Sequence, residues 1–88
     1  MLSRTPTGRF LKDVKLLKKR KFDIKKLEEI IGLLCEGKEL PKRCRAHILS
    51  GEWNECWECH IAPDWLLIYR FTENKIHFLR TGTHSDLF

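Results

Sequence analysis

The strongest fold signal in the sequence is an almost unbroken apolar run, WLLIYRF, at residues 65–71. It is far shorter than the ~20 residues that a helix needs to cross a bilayer. Its length and its aromatic and branched side chains are typical of a central strand in a sheet. A turn signal follows at Thr72, Glu73 and Asn74, and residues 75–81 alternate between apolar and polar. We therefore predict a hairpin whose first strand lies inside the sheet.

A second alternating segment precedes this run. In residues 53–61 the odd positions are apolar except for Glu55, and the even positions are Asn, Cys, Glu and His. This period of two predicts a half-buried strand. We interpret residues 46–49 as a short edge strand, and residues 1–5 as either a short edge strand or a disordered tip.

The first half of the chain has helical periodicity instead. Apolar residues recur at i, i+4 and i+7 from Phe10 to Leu17 in an otherwise basic segment. A second apolar stripe runs through residues 24–34. It follows Asp23, a favourable N-cap, and Gly37 is the expected C-terminal stop. Two amphipathic helices in succession must cover an apolar surface elsewhere in the fold.

Together these patterns predict an α+β fold. Two N-terminal helices pack on one face of a small, mostly antiparallel sheet, and a short C-terminal tail follows. A chain of 88 residues has the size of one domain, and we expect residues 1–88 to form a single one. A chain of this length buries only about two thirds of its unfolded surface, so the core should be small.

Basic residues are concentrated in the first half. Residues 1–45 hold 14 Lys and Arg against 6 Asp and Glu, whereas residues 46–88 hold 3 against 6. This imbalance favours an anionic partner, such as RNA, DNA or an acidic protein, over a merely solvated helix face. The N terminus lacks the apolar stretch of a secretory signal. We therefore expect a cytoplasmic protein with reduced thiols and no membrane association.

Residues 56–60 read CWECH and match the C-x-x-C-H haem-attachment pattern. On a strand, Cys56 and Cys59 are three positions apart and point to opposite faces, so they cannot share a haem or a metal ion. A zinc site of Cys44, His47, Cys56 and Cys59 has plausible spacing, but it needs knuckle turns where the pattern predicts a strand. We expect no cofactor or metal, with Cys59 in the core and Cys56 on the polar face.

All four histidines follow residue 46, in the half of the chain that also holds Asp64 and Arg80. RNA cleavage without a metal needs a base for the 2′-OH proton, an acid for the leaving 5′-oxygen and a cation for the phosphate. Histidine titrates near neutrality and arginine binds phosphate with two parallel hydrogen bonds. These residues make a metal-independent ribonuclease one candidate function, and a non-catalytic binding module stays open.

Three segments carry a resemblance to a known family: HILSG at 47–51, HIAPDWLLIY at 60–69 and RTGTHSDLF at 80–88. Their order and spacing, the two leading helices and the chain length resemble the YafQ-type branch of the RelE/ParE toxin superfamily. The resemblance covers nearly the whole chain. It implies a toxin of a type II toxin–antitoxin module that cleaves mRNA, typically on the ribosome, and needs no metal. The implied reaction is 2′-OH attack that leaves a cyclic 2′,3′-phosphate.

The resemblance also implies roles for single residues. His84 is the leading candidate for general acid or base, and Arg80 for phosphate binding. His60 and Asp64 are catalytic or orienting groups, and which of these groups takes the first proton stays open. His77 matches no motif position and is interpreted as structural or exposed. Three further residues are implied to line or stack at the site: His47, Trp65 and Phe88.

The implied partners are a cognate antitoxin, mRNA and the ribosome. The antitoxin's C-terminal segment is expected to cover the active site and the basic helices, and operator DNA is contacted only through the antitoxin complex. Two other functions stay open. One is an inhibitor that binds the ribosome or DNA gyrase without cutting, although gyrase inhibitors of this superfamily lack the His, Asp and Arg set. The other is a zinc-stabilised nucleic-acid-binding domain.

Overall fold

The computed structural model describes residues 1–88 as five strands and three α-helices. The strands are β1 (Ser3–Pro6), β2 (His47–Ile48), β3 (Trp57–Ala62), β4 (Trp65–Thr72) and β5 (Lys75–Gly82). The helices are α1 (Gly8–Lys19), α2 (Ile24–Cys35) and α3 (His84–Leu87). Single 3-10 turns lie at Lys42–Cys44 and Gly51–Trp53.

The five strands form one sheet in the order β1-β5-β4-β3-β2. All neighbouring pairs are antiparallel except β1 and β5, which are parallel. The predicted central position of the apolar run is confirmed, because β4 lies in the middle of the sheet. Residues 3–6 form an edge strand rather than a disordered tip, and the predicted edge strand near residue 47 is confirmed as β2.

Both predicted helices are present, with the expected apolar sides inward. Thr7 caps α1 by accepting a hydrogen bond from the backbone N–H of Phe10 at 3.1 Å, and Phe10 and Leu17 are buried. Asp23 caps α2 as predicted, and Gly37 ends it in the left-handed region at φ 71°. No helix of the protein is both long enough and apolar enough to cross a membrane.

The sheet is covered on both faces. Trp65, Leu67 and Tyr69 of β4 pack in the main core with α1 and α2. Leu66 and Ile68 alternate with them, are fully buried, and lie outside that core. They therefore occupy the opposite face, which the α-helices α1 and α2 do not cover.

The structure corrects two expectations about the residues around the start of β3. β3 begins at Trp57, not at residue 53, because a 3-10 turn ends at Trp53 and Glu55 has a positive φ of 67°. Cys56, expected on a polar face, is only 7% exposed. The physical reason is that the presumed polar face holds its own buried apolar residues, so small side chains beside them are buried too. The expected C-terminal tail is also more ordered than predicted, since α3 forms one capped helical turn.

Candidate active site

The cross-strand register brings several predicted site residues to the sheet face opposite α1 and α2. Glu58 of β3 pairs with Ile68 of β4, which lies outside the helix-side core. Glu58 pairs with His47, which belongs to the same face. Arg80 pairs with Ile68 beside a register shift, but its side chain binds Asp13 of α1 and so does not lie on this face. His60 lies two residues along β3 from Glu58, so it is directed to the same face.

Asp64, in the turn between β3 and β4, holds the imidazole of His84. Its Oδ1 accepts the backbone N–H of His84 at 3.1 Å and lies 2.6 Å from His84 Nδ1. These bonds, first that of the side chain and then that of the backbone, lower the pKa of the Asp64 carboxyl below its ordinary value. An ionised carboxylate only accepts hydrogen bonds, so the proton of a neutral His84 ring lies on Nδ1. Nε2 then keeps a free lone pair.

A second imidazole stands close to this pair. The ring centroids of His60 and His84 are 6.0 Å apart. His60 is half-buried near the end of β3, whereas His84 is exposed at the first position of α3. Two titratable rings thus approach from different elements and face a shared space.

Hydrogen bonds to Asp86, both from within the helix and from Arg20, hold the short helix α3 in place. Asp86 and Thr83 form a capping box, with the Thr83 backbone N–H donating to Asp86 Oδ2 at 2.9 Å. Arg20, just after α1, donates to the same oxygen at 2.8 Å. The Thr83 bond, with that of Arg20, lowers the pKa of the Asp86 carboxyl. Because His84 directly follows Thr83, this network sets the position of its backbone.

Arg80 is tied to α1 by a residue that the sequence analysis missed. Its Nε donates to Asp13 Oδ2 at 2.7 Å and its Nη2 to Asp13 Oδ1 at 3.3 Å. The two side chains are only 16% and 13% exposed. Asp13 also accepts the backbone N–H of Thr81 at 3.2 Å. The one available signal was that Asp13 is the single acidic residue of an otherwise basic helix.

His47 lies farther along the same face. Its Nε2 is 3.6 Å from the carboxylate of Glu58, and its Nδ1 donates to the Arg45 carbonyl at 2.9 Å. Glu58 is only 7% exposed, whereas His47 is exposed. Glu58 was read from the sequence as one more polar residue of an alternating strand, and nothing local marked it as buried.

The two aromatic candidates differ in accessibility. Trp65 is 4% exposed, its Nε1 donates to Thr81 Oγ1 at 2.9 Å, and its ring packs edge-on against Phe22. It lies in the core and offers no open ring face. Phe88 is 64% exposed and touches Trp53 at a centroid distance of 6.5 Å. Phe88 is therefore the aromatic group that a base can reach.

The cysteines do not form the zinc site considered from the sequence. Cys44 and Cys59 belong to the helix-side core, and Cys56 does not. No three His, Cys, Asp or Glu side chains of the chain converge as metal ligands. Burial raises the pKa of Cys59 to about 12 and also raises the pKa of Cys44. These thiols stay protonated and act as small core residues.

His84, Asp64 and His60 suit proton transfer at a phosphodiester. One imidazole oriented by a carboxylate and a second imidazole nearby can take one proton and supply another. A small α+β protein of this topology, with such groups close together at its surface, fits the class of RelE/ParE-type toxins.

Comparisons with known proteins define the family. A family model described as the bacterial toxin of the type II toxin–antitoxin system, YafQ, matches residues 2–88. The mRNA interferase toxin YafQ of Escherichia coli K12 is 42% identical over 83 residues, which cover 93% of this chain and 90% of that protein. The chain belongs to the YafQ family of toxins.

Solved structures agree on the fold. A metal-bound toxin from Helicobacter pylori superposes with a TM-score of 0.94 at 38% identity and full coverage of both chains. The E. coli DinJ–YafQ toxin–antitoxin complex gives a TM-score of 0.90 at 40% identity, covering 99% of this chain and 97% of that one. The predicted α+β fold and the predicted toxin family are both confirmed.

Proposed function

We propose that residues 1–88 act as one toxin domain that cleaves mRNA by attack of a ribose 2′-OH on the adjacent phosphate. The observation that carries the proposal is the Asp64–His84 pair at 2.6 Å, with the His60 ring 6.0 Å from that of His84. The E. coli relative is named an mRNA interferase toxin, which supports the same substrate class.

In this reaction His84 is the general base and His60 the general acid. Asp64 keeps the proton of neutral His84 on Nδ1, so Nε2 is free to take the 2′-OH proton. The 2′-oxygen then bonds to phosphorus, and the bond from phosphorus to the 5′-oxygen breaks. The 5′-oxygen leaves with a proton from His60, which gives a cyclic 2′,3′-phosphate and a 5′-hydroxyl.

Arg80 supplies positive charge to the phosphate from a fixed position. Asp13 takes the N–H of Nε and one N–H of Nη2, so both N–H groups of Nη1 and the second one of Nη2 are left for phosphate oxygens. A guanidinium that is already oriented need not be ordered when charge develops on the phosphate. His47 and Phe88 lie farther out and contact the RNA beyond the cleaved bond, while Trp65 shapes the site from beneath.

The proposed setting is translated mRNA in the cytoplasm, with the basic surface of α1 facing ribosomal RNA and mRNA. A cognate antitoxin covers the site with an acidic or mixed-charge C-terminal segment and connects the complex to operator DNA. The DinJ–YafQ complex of E. coli supports an antitoxin partner. Because the H. pylori toxin was solved with bound metal, the metal independence proposed here needs its own test. That test measures whether RNA is still cleaved after a chelator is added.

The test maps 5′ ends of a translated mRNA by primer extension, with wild type, His84→Ala and His77→Ala. We expect discrete new ends with wild type and a loss of about 10²–10⁴-fold in cleavage rate for His84→Ala. His77→Ala is the matched control, because the His77 side chain bonds to Thr72 at 2.8 Å and not to any of the predicted site residues. New ends from His84→Ala at the wild-type rate would contradict the role of His84. Translation arrest without ends from any variant would replace the nuclease with a non-catalytic binding module.

A modified substrate separates acid from base. An RNA with sulfur in place of the leaving 5′-oxygen needs no general acid, because a thiolate leaves unprotonated. This substrate should restore cleavage by His60→Ala but not by His84→Ala. The reverse pattern would exchange the two assignments.

A further inference from the structure

A cleft of about 440 Å³ lies beside the catalytic histidines and has a strongly one-sided charge. Lys26 of α2, Arg43 and Arg45 line it together with His60 and the end of β3, residues 61–63. No carboxylate is among the lining residues. The cleft therefore concentrates positive potential on a concave surface.

The three cations of the cleft have no acidic partners within the protein. Five other Lys and Arg side chains form ion pairs, but Lys26, Arg43 and Arg45 do not. All three are exposed. Their charge is thus available to an external anion rather than being neutralised inside the fold.

The backbone at Arg45 is held in an unfavourable conformation. Its φ of 49° and ψ of 46° lie in the left-handed region, which non-glycine residues seldom adopt. Its carbonyl accepts the hydrogen bond from His47 Nδ1 at 2.9 Å. This hydrogen bond links Arg45 of the cleft to His47 of the predicted site. Backbone strain of this kind tends to persist where function requires the conformation.

The cleft is continuous with the site of proton transfer. His60 lines it, and the His60 ring is 6.0 Å from that of His84. Lys26 also lines the neighbouring cavity that contains Asp64 and Trp65. An extended polyanion lying in the cleft therefore contacts His60.

We propose that this cleft binds the RNA backbone next to the cleaved bond, with Lys26, Arg43 and Arg45 contacting phosphates beyond the reacting one. The proposal rests on the nuclease function proposed above. It names single-stranded RNA as the ligand, because the cleft opens on the reacting groups and carries only cations. A carboxylate-rich antitoxin segment is the competing occupant.

The first measurement is independent of cleavage. A short 2′-deoxy oligonucleotide, which cannot be cut by 2′-OH attack, is titrated into isotope-labelled protein while backbone amide resonances are recorded. We expect shifts at residues 43–45 and 60–62. The salt dependence of binding should weaken by about 0.7 in log–log slope for each single-strand phosphate contact that a variant removes. Shifts confined to α1, or no saturable shifts, would overturn the proposal.

The second measurement compares two triple variants of equal charge change in the translated-mRNA assay. The cleft variant is Lys26→Gln, Arg43→Gln and Arg45→Gln. The control is Lys21→Gln, Lys38→Gln and Lys75→Gln, three exposed lysines that lie outside both the cleft and α1. We expect the cleft variant to cleave about tenfold more slowly than the control, because it loses phosphate contacts at the site itself. A single Arg43→Gln variant repeats the test with the smallest change to the fold.

The outcomes separate this proposal from the nuclease proposal. If wild type cuts and both triple variants cut equally well, the cleft proposal fails while the nuclease remains. If the cleft variant cuts normally and loses only antitoxin affinity, the cleft belongs to the antitoxin and the proposal fails. If wild type does not cut, the nuclease fails, and the oligonucleotide titration still decides whether the cleft binds nucleic acid.

Discussion

Asp13 shows how a single side chain acts here through the group it holds. It forms two hydrogen bonds to Arg80 in a pair that is largely withdrawn from water. Asp13→Ala leaves the guanidinium without a partner, so we expect a loss of about 2 kcal/mol in the free energy of unfolding. Urea denaturation measures this change. The control is Glu28→Ala, which breaks the exposed Arg4–Glu28 pair at 3.0 Å.

The control should lose less than about 1 kcal/mol, because exposed ion pairs contribute little. Equal losses for the two variants would show that the Arg80 pair adds no more than an ordinary surface pair. We also expect Asp13→Ala to slow mRNA cleavage, since Arg80 is no longer oriented.

The lowered pKa of Asp64 determines the direction in which the stability of the protein changes with pH. The pKa of this carboxyl is lowered below 3.8 in the folded protein by the bonds from His84. The stabilisation is therefore complete above that ordinary value and is lost as pH falls through the lowered pKa. We expect wild type to exceed Asp64→Asn in Tm at neutral pH, with the difference disappearing as acid protonates the carboxyl.

Melting temperatures of both proteins between pH 2 and 7 test this expectation. Comparing the two proteins is necessary because the pKa of Asp86 is lowered as well and affects both equally. A difference in Tm that stays constant to the lowest pH would mean that the Asp64–His84 bond does not stabilise the fold.

Helix α3 depends on a glycine that allows close approach. A Cβ on Gly82 would lie 2.9 Å from both Cβ and Oδ2 of Asp86, the residue that caps α3 and binds Arg20. Gly82→Ala should displace Asp86 and with it His84. We expect mRNA cleavage to fall about tenfold or more, because small misplacements of catalytic groups have large effects on rate.

The matched change is Gly32→Ala in the middle of α2. A Cβ there meets no atom within 4 Å, so the variant should gain about 0.5–1 kcal/mol in stability and keep its activity. Thermal unfolding and the cleavage assay report both effects. Full activity of Gly82→Ala would show that α3 tolerates displacement of its cap.

Among the elements, those with a clear period were predictable. The stripe of α2 and the apolar run of β4 required only local spacing and end signals such as Asp23. The start of β3 was placed four residues too early, because alternation continued through residues that form a 3-10 turn. Helix α3 was not predicted, since four residues show no helical period, although its capping box of Thr83 and Asp86 is local.

The reactivity of the four cysteine thiols depends on whether the whole molecule is folded. All four cysteines are free and buried, and they are divided between the helix-side core and the opposite face. A thiol reagent should therefore react with none of them until the protein unfolds, and then with all of them together. Absorbance after addition of the reagent in native buffer and in denaturant measures this. Rapid reaction of one thiol in native buffer would indicate local opening at that cysteine.

Much of this protein could be inferred from local sequence. Periods of two and 3.6 residues depend only on near neighbours, and they gave the α+β class, two helices and the central hairpin. The spaced motifs that end in RTGTHSDLF placed the chain in its family. The same resemblance implied His60, Asp64, Arg80 and His84 as candidate reacting groups, which stays a prediction.

Other features depend on residues far apart in the chain. Asp13 meets Arg80 across 67 positions, and Asp64 meets His84 across 20. The burial of Cys56 and Glu58, and the meeting of Lys26, Arg43 and Arg45 with His60, follow from the same long-range packing. No local period encodes such pairs, because folding brings their residues together only when the helices dock on the sheet.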